Sequence, residues 1–339
     1  MDSLTHIVLG ACVGEVVAGK KLGKKSWLAG ALFQTIPDLD FIAGFWLSPA
    51  EDLLAHRGFT HSFLFVILLS IFLAALSKRV GWCAGLSSRG WFFFSLIELL
   101  IHVLIDAMNV YGTAWLEPFS HTRFAFNVLF VADPFFTLPL LMAFSFLLFG
   151  KVKVKFRQTL SKIALVLSSL YLLYVLILKW QVTTVVVHNL NREVEKSESY
   201  FSTPTPFNPW LWYVVNKREE SFQVGYYSVF DQSDSIALHT VLQQRKLLPL
   251  AASTESIPHL IRFSKGYFAL KQIGDTVVFN DLRFGKIMGW ANPASPFVFY
   301  YYLSNSADNS VVIQRGRMQG WSTKSIRLFI ERIFSGYEK

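Results

Sequence analysis

Long apolar runs separated by short polar connections fill the first half of the chain, and a period of two takes over in the second. Residues 60 to 77, 91 to 109, 133 to 150 and 160 to 180 each approach the roughly 20 apolar residues that a bilayer core requires. Two further stretches, 3 to 19 and 26 to 47, are shorter or interrupted by Pro37, Asp38 and Asp40, and predict partial or discontinuous spans. Beyond Gln181, polar and apolar residues alternate in SFQVGYYSVF (221–230), in DTVVFNDLRFGKIM (275–288), and in FVFYYYLS with the SVVIQRGR that ends at 317. That is the signature of strands with one buried face. STPTPFNPW (202–210) predicts a proline-rich connection or edge, and the closing STKSIRLFIERIFSGYEK an amphipathic helix opened by a Ser or Thr cap. The pattern therefore predicts a polytopic α-helical membrane domain of about five to six membrane segments over 1–181. A soluble α+β domain follows over 182–339, long enough for its own core.

Composition agrees. Hydrophobic residues make up 53% of the 339 and charged residues 16%, too apolar for a soluble protein of this length. The net charge of +9 resides largely in short connections: Lys20, Lys21, Lys24 and Lys25, then Lys78, Arg79 and Arg89, then Lys151, Lys153, Lys155 and Arg157. Basic residues so placed set orientation and meet lipid headgroups, which makes membrane lipids the expected partner and nucleic acid not. The positive-inside rule puts all three connections in the cytoplasm. Loop 110–132, the N-terminus and everything after about 182 then lie outside. No basic residue precedes the first apolar stretch, so it is expected to be retained and not cleaved as a signal. Cys12 and Cys83 support neither a disulfide framework nor a thiolate zinc site.

Threaded this way, with about 1.5 Å of rise per residue, His6, Asp38, His61, His102, Asp106 and Asp133 come out at one level, roughly 18 to 27 Å from the cytoplasmic ends. A lone histidine in a span is usually a hydrogen-bonded packing residue, and Pro-Asp is a common helix stop. Ionisable groups at membrane depth are nevertheless costly and persist where they pair, coordinate an ion or line a wet cavity. His102 and Asp106 stand four apart on one helical face with Glu98 a turn further in, and Asp2 and His6 repeat the spacing. Asp38 and Asp40 follow a helix-breaking proline, and His56 and His61 flank Gly58 in HRGFTHS.

Imidazoles and carboxylates without thiolates suit a catalytic divalent metal, zinc first, with manganese or iron as alternatives, as one or two ions. The expected direct ligands are His6, Asp38, His56, His61, His102 and Asp106, with Asp40 and Asp133 as ligands or orienting groups. Arg57 and Asp40 are the further catalytic candidates. A guanidinium fork fits a phosphate oxygen, although an interfacial arginine also reaches headgroups. His121 is a second-rank candidate in an aromatic loop that otherwise resembles an interfacial belt. His188, His239 and His259 form no metal spacing.

MDSLTH at the start, PDLD at 37–40, HRGFTHS at 56–62, HVLID at 102–106, YGT at 111–113, PFS at 118–120 and DP at 133–134 resemble the YdjM-like family of membrane-bound, metal-dependent hydrolases. The likeness covers roughly residues 1–145. It implies a multi-pass hydrolase of the bacterial cytoplasmic (inner) membrane, with the histidines and aspartates of these motifs as metal ligands. A looser likeness, to zinc-dependent phospholipases C, is an analogy of scaffold only. The leading expectation is a hydrolase that directs a metal-activated water at a phospholipid or lipid-linked phosphoester from the outer side. The alternative is an intramembrane proton or metal-ion transporter; the cytoplasmic halves of the spans are nearly free of ionisable groups, with Glu15, lower in the first segment, the exception. A third reading makes the C-terminal domain a partner-binding module and the metal a helix pin.

Overall fold

The computed structural model describes residues 1–81, 84–150, 153–191, 197–251, 254–303 and 321–334. Cys83, Lys151, the segment SVVIQRGR and the last five residues lie outside the described residues. The chain divides into two compact units. One comprises residues 1–43, 55–176 and 206–208, the other 44–54, 177–205 and 209–339.

The first unit is helical. α1 (Ser3–Leu22) starts at Asp2, whose carboxylate accepts the Thr5 N–H at 3.1 Å, and ends in Lys20 and Lys21 before Gly23 at φ 59°. Cap, basic last turn and positive-φ glycine are all standard helix punctuation. α2 (Lys24–Thr35) folds directly back on α1. The two helices touch backbone to backbone because Gly10 and Gly14 on α1 meet Gly30 and Ser26 on α2. A Cβ at Gly30 would collide with the Gly10 carbonyl, and one at Gly14 with the Ser26 carbonyl. Small residues four apart are the usual means of close helix approach in membranes.

Pro37 then breaks the helix, and a 3-10 segment runs over Pro37–Phe45. α3 (Pro49–Ala55) belongs but for its last residue to the other unit; beyond it come a 3-10 turn at Phe59–His61 and α4 (Phe63–Leu76), capped by Ser62 Oγ on Phe65 N at 3.1 Å. α5 (Ser88–Asp106) is capped by Ser87, and α6 (Pro134–Phe149) by Asp133 with Pro134 in its first turn. α7 (Val154–Asn191) is the longest helix described, and the expected boundary at 181/182 falls within it. Apolar faces of α1, α2 and α5 close a core of Ala18, Leu22, Ala29, Phe33, Trp91 and Phe94, while Val66 of α4 packs on Leu99 and Val103 of α5.

Among the described residues three helices, α1, α5 and α7, are long and apolar enough to cross a membrane, or four if the bent pair Pro49–His61 and α4 counts as one span. This is fewer than the five to six segments expected. α6 falls short in length, and α2 stops at twelve residues because Pro37 ends it. The basic connections all attach to the ends of α1, α4, α5 and α7 that lie away from His6, His61 and His102.

The second unit carries two antiparallel sheets. β1 (Ser199–Pro204), β2 (Leu211–Lys217), β3 (Ser221–Ser228) and β4 (His239–Leu242) form one, in that order, and β5 (Phe268–Ile273), β6 (Thr276–Lys286) and β7 (Phe297–Tyr302) the other. The proline-rich stretch expected as an edge contains the end of β1, an edge strand. Tyr213, Val215, Phe222, Val224, Leu282 and Phe297 make the core shared by the sheets. α8 (Ser256–Phe263) precedes β5, and α9 (Thr323–Phe334) is opened by Ser322, whose Oγ accepts Ser325 N–H at 3.2 Å.

Candidate metal centre

Four side chains from three places in the first unit converge: Asp38 from the 3-10 segment after Pro37, His61 from the turn before α4, and His102 and Asp106 from the last turns of α5. Their candidate ligand atoms all lie within 4.8 Å of one another. The individual separations are 3.0 Å between His61 Nε2 and His102 Nε2, 3.5 and 3.6 Å from these nitrogens to Asp38 Oδ1, and 3.3 and 3.8 Å to Asp106 Oδ2. A tetrahedron with ligand bonds of about 2.1 Å has edges of about 3.4 Å, so the four atoms are spaced as ligands of one small ion.

Hydrogen bonding around the rings gives an independent test. His102 Nδ1 lies 2.7 Å from the Gln34 carbonyl, which can only accept, so Nδ1 carries the proton. His61 Nδ1 lies 3.0 Å from Thr60 Oγ1 and 3.4 Å from Asp40 Oδ2. The Thr60 hydroxyl spends its proton on Asp40 at 3.2 Å, so the His61 proton is on Nδ1 as well. With Nδ1 carrying the proton, the neutral form of each ring has an acceptor at Nε2, and the two Nε2 atoms stand 3.0 Å apart. A cation between them resolves the repulsion of two acceptors. Asp106 Oδ2 is buried and accepts no hydrogen bond, although Arg57 Nε stands 3.1 Å away as a charge partner. The donor set fits a divalent metal.

The remaining sequence candidates fall around this group. His6 Nε2 touches the other Asp106 oxygen at 3.0 Å, its Nδ1 faces Gln34 Oε1 at 3.2 Å, and the Met1 amino group also contacts Asp106 Oδ1. Asp40 collects His56 Nδ1 at 2.9 Å and the Arg57 N–H at 2.7 Å besides Thr60 and His61. His56 is thereby one residue removed from the four, and its side chain is 40% exposed. The Arg57 backbone sits at φ 60°, in the left-handed region, where its N–H can point at Asp40, and its guanidinium also donates to Asn109 Oδ1 at 2.8 Å. Asp133 accepts the Phe135 and Phe136 N–H groups and the Tyr171 hydroxyl, which is the work of a helix cap. Glu98 pairs with Gln34, and His121 with Glu117 in an exposed loop.

Sequence reasoning passed over Gln34, Thr60 and Asn109. Gln34 bridges His6 to Glu98 and lends its carbonyl to His102. Gln34 is fully buried, which its place in a helix that also carries Lys24, Lys25, Ser26 and Thr35 does not reveal. The loop expected as an aromatic belt is stitched to HRGFTHS by Ala114 N on Arg57 O and to the start of α4 by Phe63 N on Trp115 O, both at 3.0 Å.

A bundle of apolar helices enclosing a two-histidine, two-aspartate group defines a membrane protein with a metal-type site. The chain belongs to the YdjM inner membrane protein family, whose model matches residues 1–182. Relatives include the inner membrane protein YbcI of Escherichia coli (strain K12), 28% identical over 123 residues, which are 36% of this chain and 69% of YbcI. The uncharacterized protein YfhP of Bacillus subtilis (strain 168) is 29% identical over 142 residues, 40% of this chain and 42% of YfhP. No solved structure matches the chain. Family and apolar helices together assign it to a bacterial inner membrane.

Proposed function

We propose that the protein is a membrane-embedded metal-dependent hydrolase acting on an amphiphilic phosphoester, a phospholipid or another lipid-linked phosphate. Asp38, His61, His102 and Asp106 hold one divalent ion, for which zinc fits best the two imidazoles and two carboxylates at these separations. When bound, such an ion supplies Lewis acidity that brings the pKa of water down towards about 7. The single observation that carries the reading is the approach of two imidazole Nε2 atoms to 3.0 Å beside two carboxylates.

The chain's own groups set that donor geometry. Gln34 and Asp40 fix the ring tautomers, His6 and Arg57 hold Asp106 from two sides, and His56 lies beside Asp40 at the solvent-accessible edge. His61, His102 and Asp106 are fully buried, whereas the Asp38 side chain is 15% exposed, so water and substrate approach on the Asp38 side. Leu39, Phe41 and Ile42 on the same 3-10 segment, and Phe59 in the turn that carries His61, are exposed. Apolar side chains around a polar entrance suit a substrate that keeps its acyl or isoprenoid portion in the bilayer. Because every basic connection attaches to the opposite helix ends, the entrance faces the outer leaflet, and the second unit is extracytoplasmic.

The test is a product assay. Purified protein in vesicles of phosphatidylethanolamine, phosphatidylglycerol and a polyprenyl phosphate is scored by mass spectrometry for released headgroup or phosphate. A product that vanishes with chelator and in His102→Ala supports the proposal, and metal-loaded protein that leaves all three lipids intact refutes it.

A further inference from the structure

The second unit holds a feature that the metal centre does not use. In the sheet β5–β6–β7 the register aligns Ala269, Asn280 and Tyr300 in one cross-strand row and Lys271, Val278 and Tyr302 in the next. Positions two apart on a strand share a face, so both rows point the same way. The opposite face, with Phe268, Leu270, Phe279 and Tyr301, is packed into the core. The face with the two rows, whose Ala269 also packs in the core between the sheets, floors a cavity of about 510 Å³, walled by Thr240–Leu242 of the edge strand β4 and by the connection that leads into β7. That size is in the range of small-molecule sites, roughly 300–1,000 Å³.

Its chemistry is one-sided. Lys271 and Lys286 both line it, and among the described residues no aspartate or glutamate does. Lys286 is held in place, its ammonium donating to the Pro293 carbonyl at 2.5 Å and standing 5.0 Å from the centre of the Phe297 ring. Partial burial pushes its pKa below the usual lysine value, an energetic cost that a nearby anion relieves. The Tyr300 and Tyr302 rings stand edge to face at 5.6 Å and, with Val278 and Ile273, give the floor an apolar body with hydroxyls at its rim.

We infer that this cavity binds an anionic amphiphile, whose apolar part lies on Val278 and the two tyrosine rings and whose charged group meets one of the two lysines, Lys271 in the Val278 row or Lys286 opposite Phe297. A fatty carboxylate and a phospholipid headgroup share that chemistry. The site is independent of the metal centre, since none of its lining residues belongs to that group.

The experiment uses the full chain in phosphatidylcholine nanodiscs and isothermal titration with three probes, each below its micellar concentration: decanoate, dihexanoylphosphatidylglycerol and neutral octyl glucoside. Binding of decanoate alone identifies a carboxylate site, and binding of the phosphatidylglycerol alone or more tightly a phosphodiester site. Either result supports the inference when Lys286→Met or Lys271→Glu weakens binding by about tenfold or more, the loss expected for a charge-assisted contact. Lys271 is exposed, so its substitution leaves the fold intact and separates lost binding from lost structure. The inference is overturned if neither anion binds, if octyl glucoside binds equally well, or if both lysine variants bind as the wild type does.

Discussion

Asp40→Asn isolates what the residues around the ligands contribute, because it keeps the side-chain shape and removes only charge and one acceptor. Asp40 Oδ2 serves the Arg57 N–H at 2.7 Å, Thr60 Oγ1 at 3.2 Å and His61 Nδ1 at 3.4 Å, and Oδ1 serves His56 Nδ1 at 2.9 Å. The amide must turn its oxygen to the busier position and its NH2 to His56, which forces that ring into the other tautomer and weakens the hold on the His61 proton. Loss of such an orienting group costs about 10- to 100-fold in metal affinity, equivalent to about 1.4–2.7 kcal/mol. Asp40→Ala goes further, leaving the buried Arg57 N–H and the Thr60 hydroxyl without their acceptor, at about 1–3 kcal/mol each in folding stability. Competitive chelator titration of zinc-loaded protein in detergent reads the first effect, and thermal unfolding of the metal-free protein reads the second. An Asp40→Asn protein that releases zinc at the same chelator concentration as wild type would refute the orienting role.

Three other substitutions separate site from scaffold. Asp133→Ala removes the α6 cap and the Tyr171 contact, so it lowers stability by about 1 kcal/mol and leaves metal affinity unchanged in the same chelator titration. Gly30→Val drives a side chain into the Gly10 carbonyl and costs about 1–3 kcal/mol or more, read as a lower unfolding midpoint; an unchanged midpoint would contradict the close α1–α2 contact. Glu15 is tied to Arg157 Nε at 3.2 Å and to Ser26 at 3.2 Å, both ends of the ion pair buried. Glu15→Gln strands the arginine and destabilises by about 3–5 kcal/mol, yet leaves proton flux in vesicles unchanged; abolished flux would favour a transporter.

How much of this was legible in the sequence depended on whether position along a helix was enough. His102 and Asp106 share a face by their spacing, and Pro37 announces the break that frees Asp38, so these could be placed from the chain alone. Depth, however, fixes height and not azimuth. Asp133 shares the level of the group but spends its oxygens on the start of α6. His6 meets the group through Asp106 and by its ring, 3.9 Å from that of His102, and His56 meets it through Asp40, a distinction that needs the ring directions. Gln34, Thr60 and Asn109 are uncharged and belong to no metal motif, so nothing in their spacing marks them. In the second unit the alternating stretches predict strands where β3, β6 and β7 lie, whereas β2 is buried along six of its seven residues and shows no period of two to detect. α6 and the α4 segment show the limit of counting apolar residues, since a run of adequate length can be shortened by a cap or a 3-10 turn.

The central claim is that Asp38, His61, His102 and Asp106 grip one ion. Inductively coupled plasma mass spectrometry on protein purified without added metal tests it most directly, comparing wild type with His61→Ala and Asp133→Ala at matched folded fraction. The account predicts about one divalent ion per chain in wild type and Asp133→Ala and a large loss in His61→Ala. Metal-free wild type, or a His61→Ala protein that keeps its ion, would contradict it.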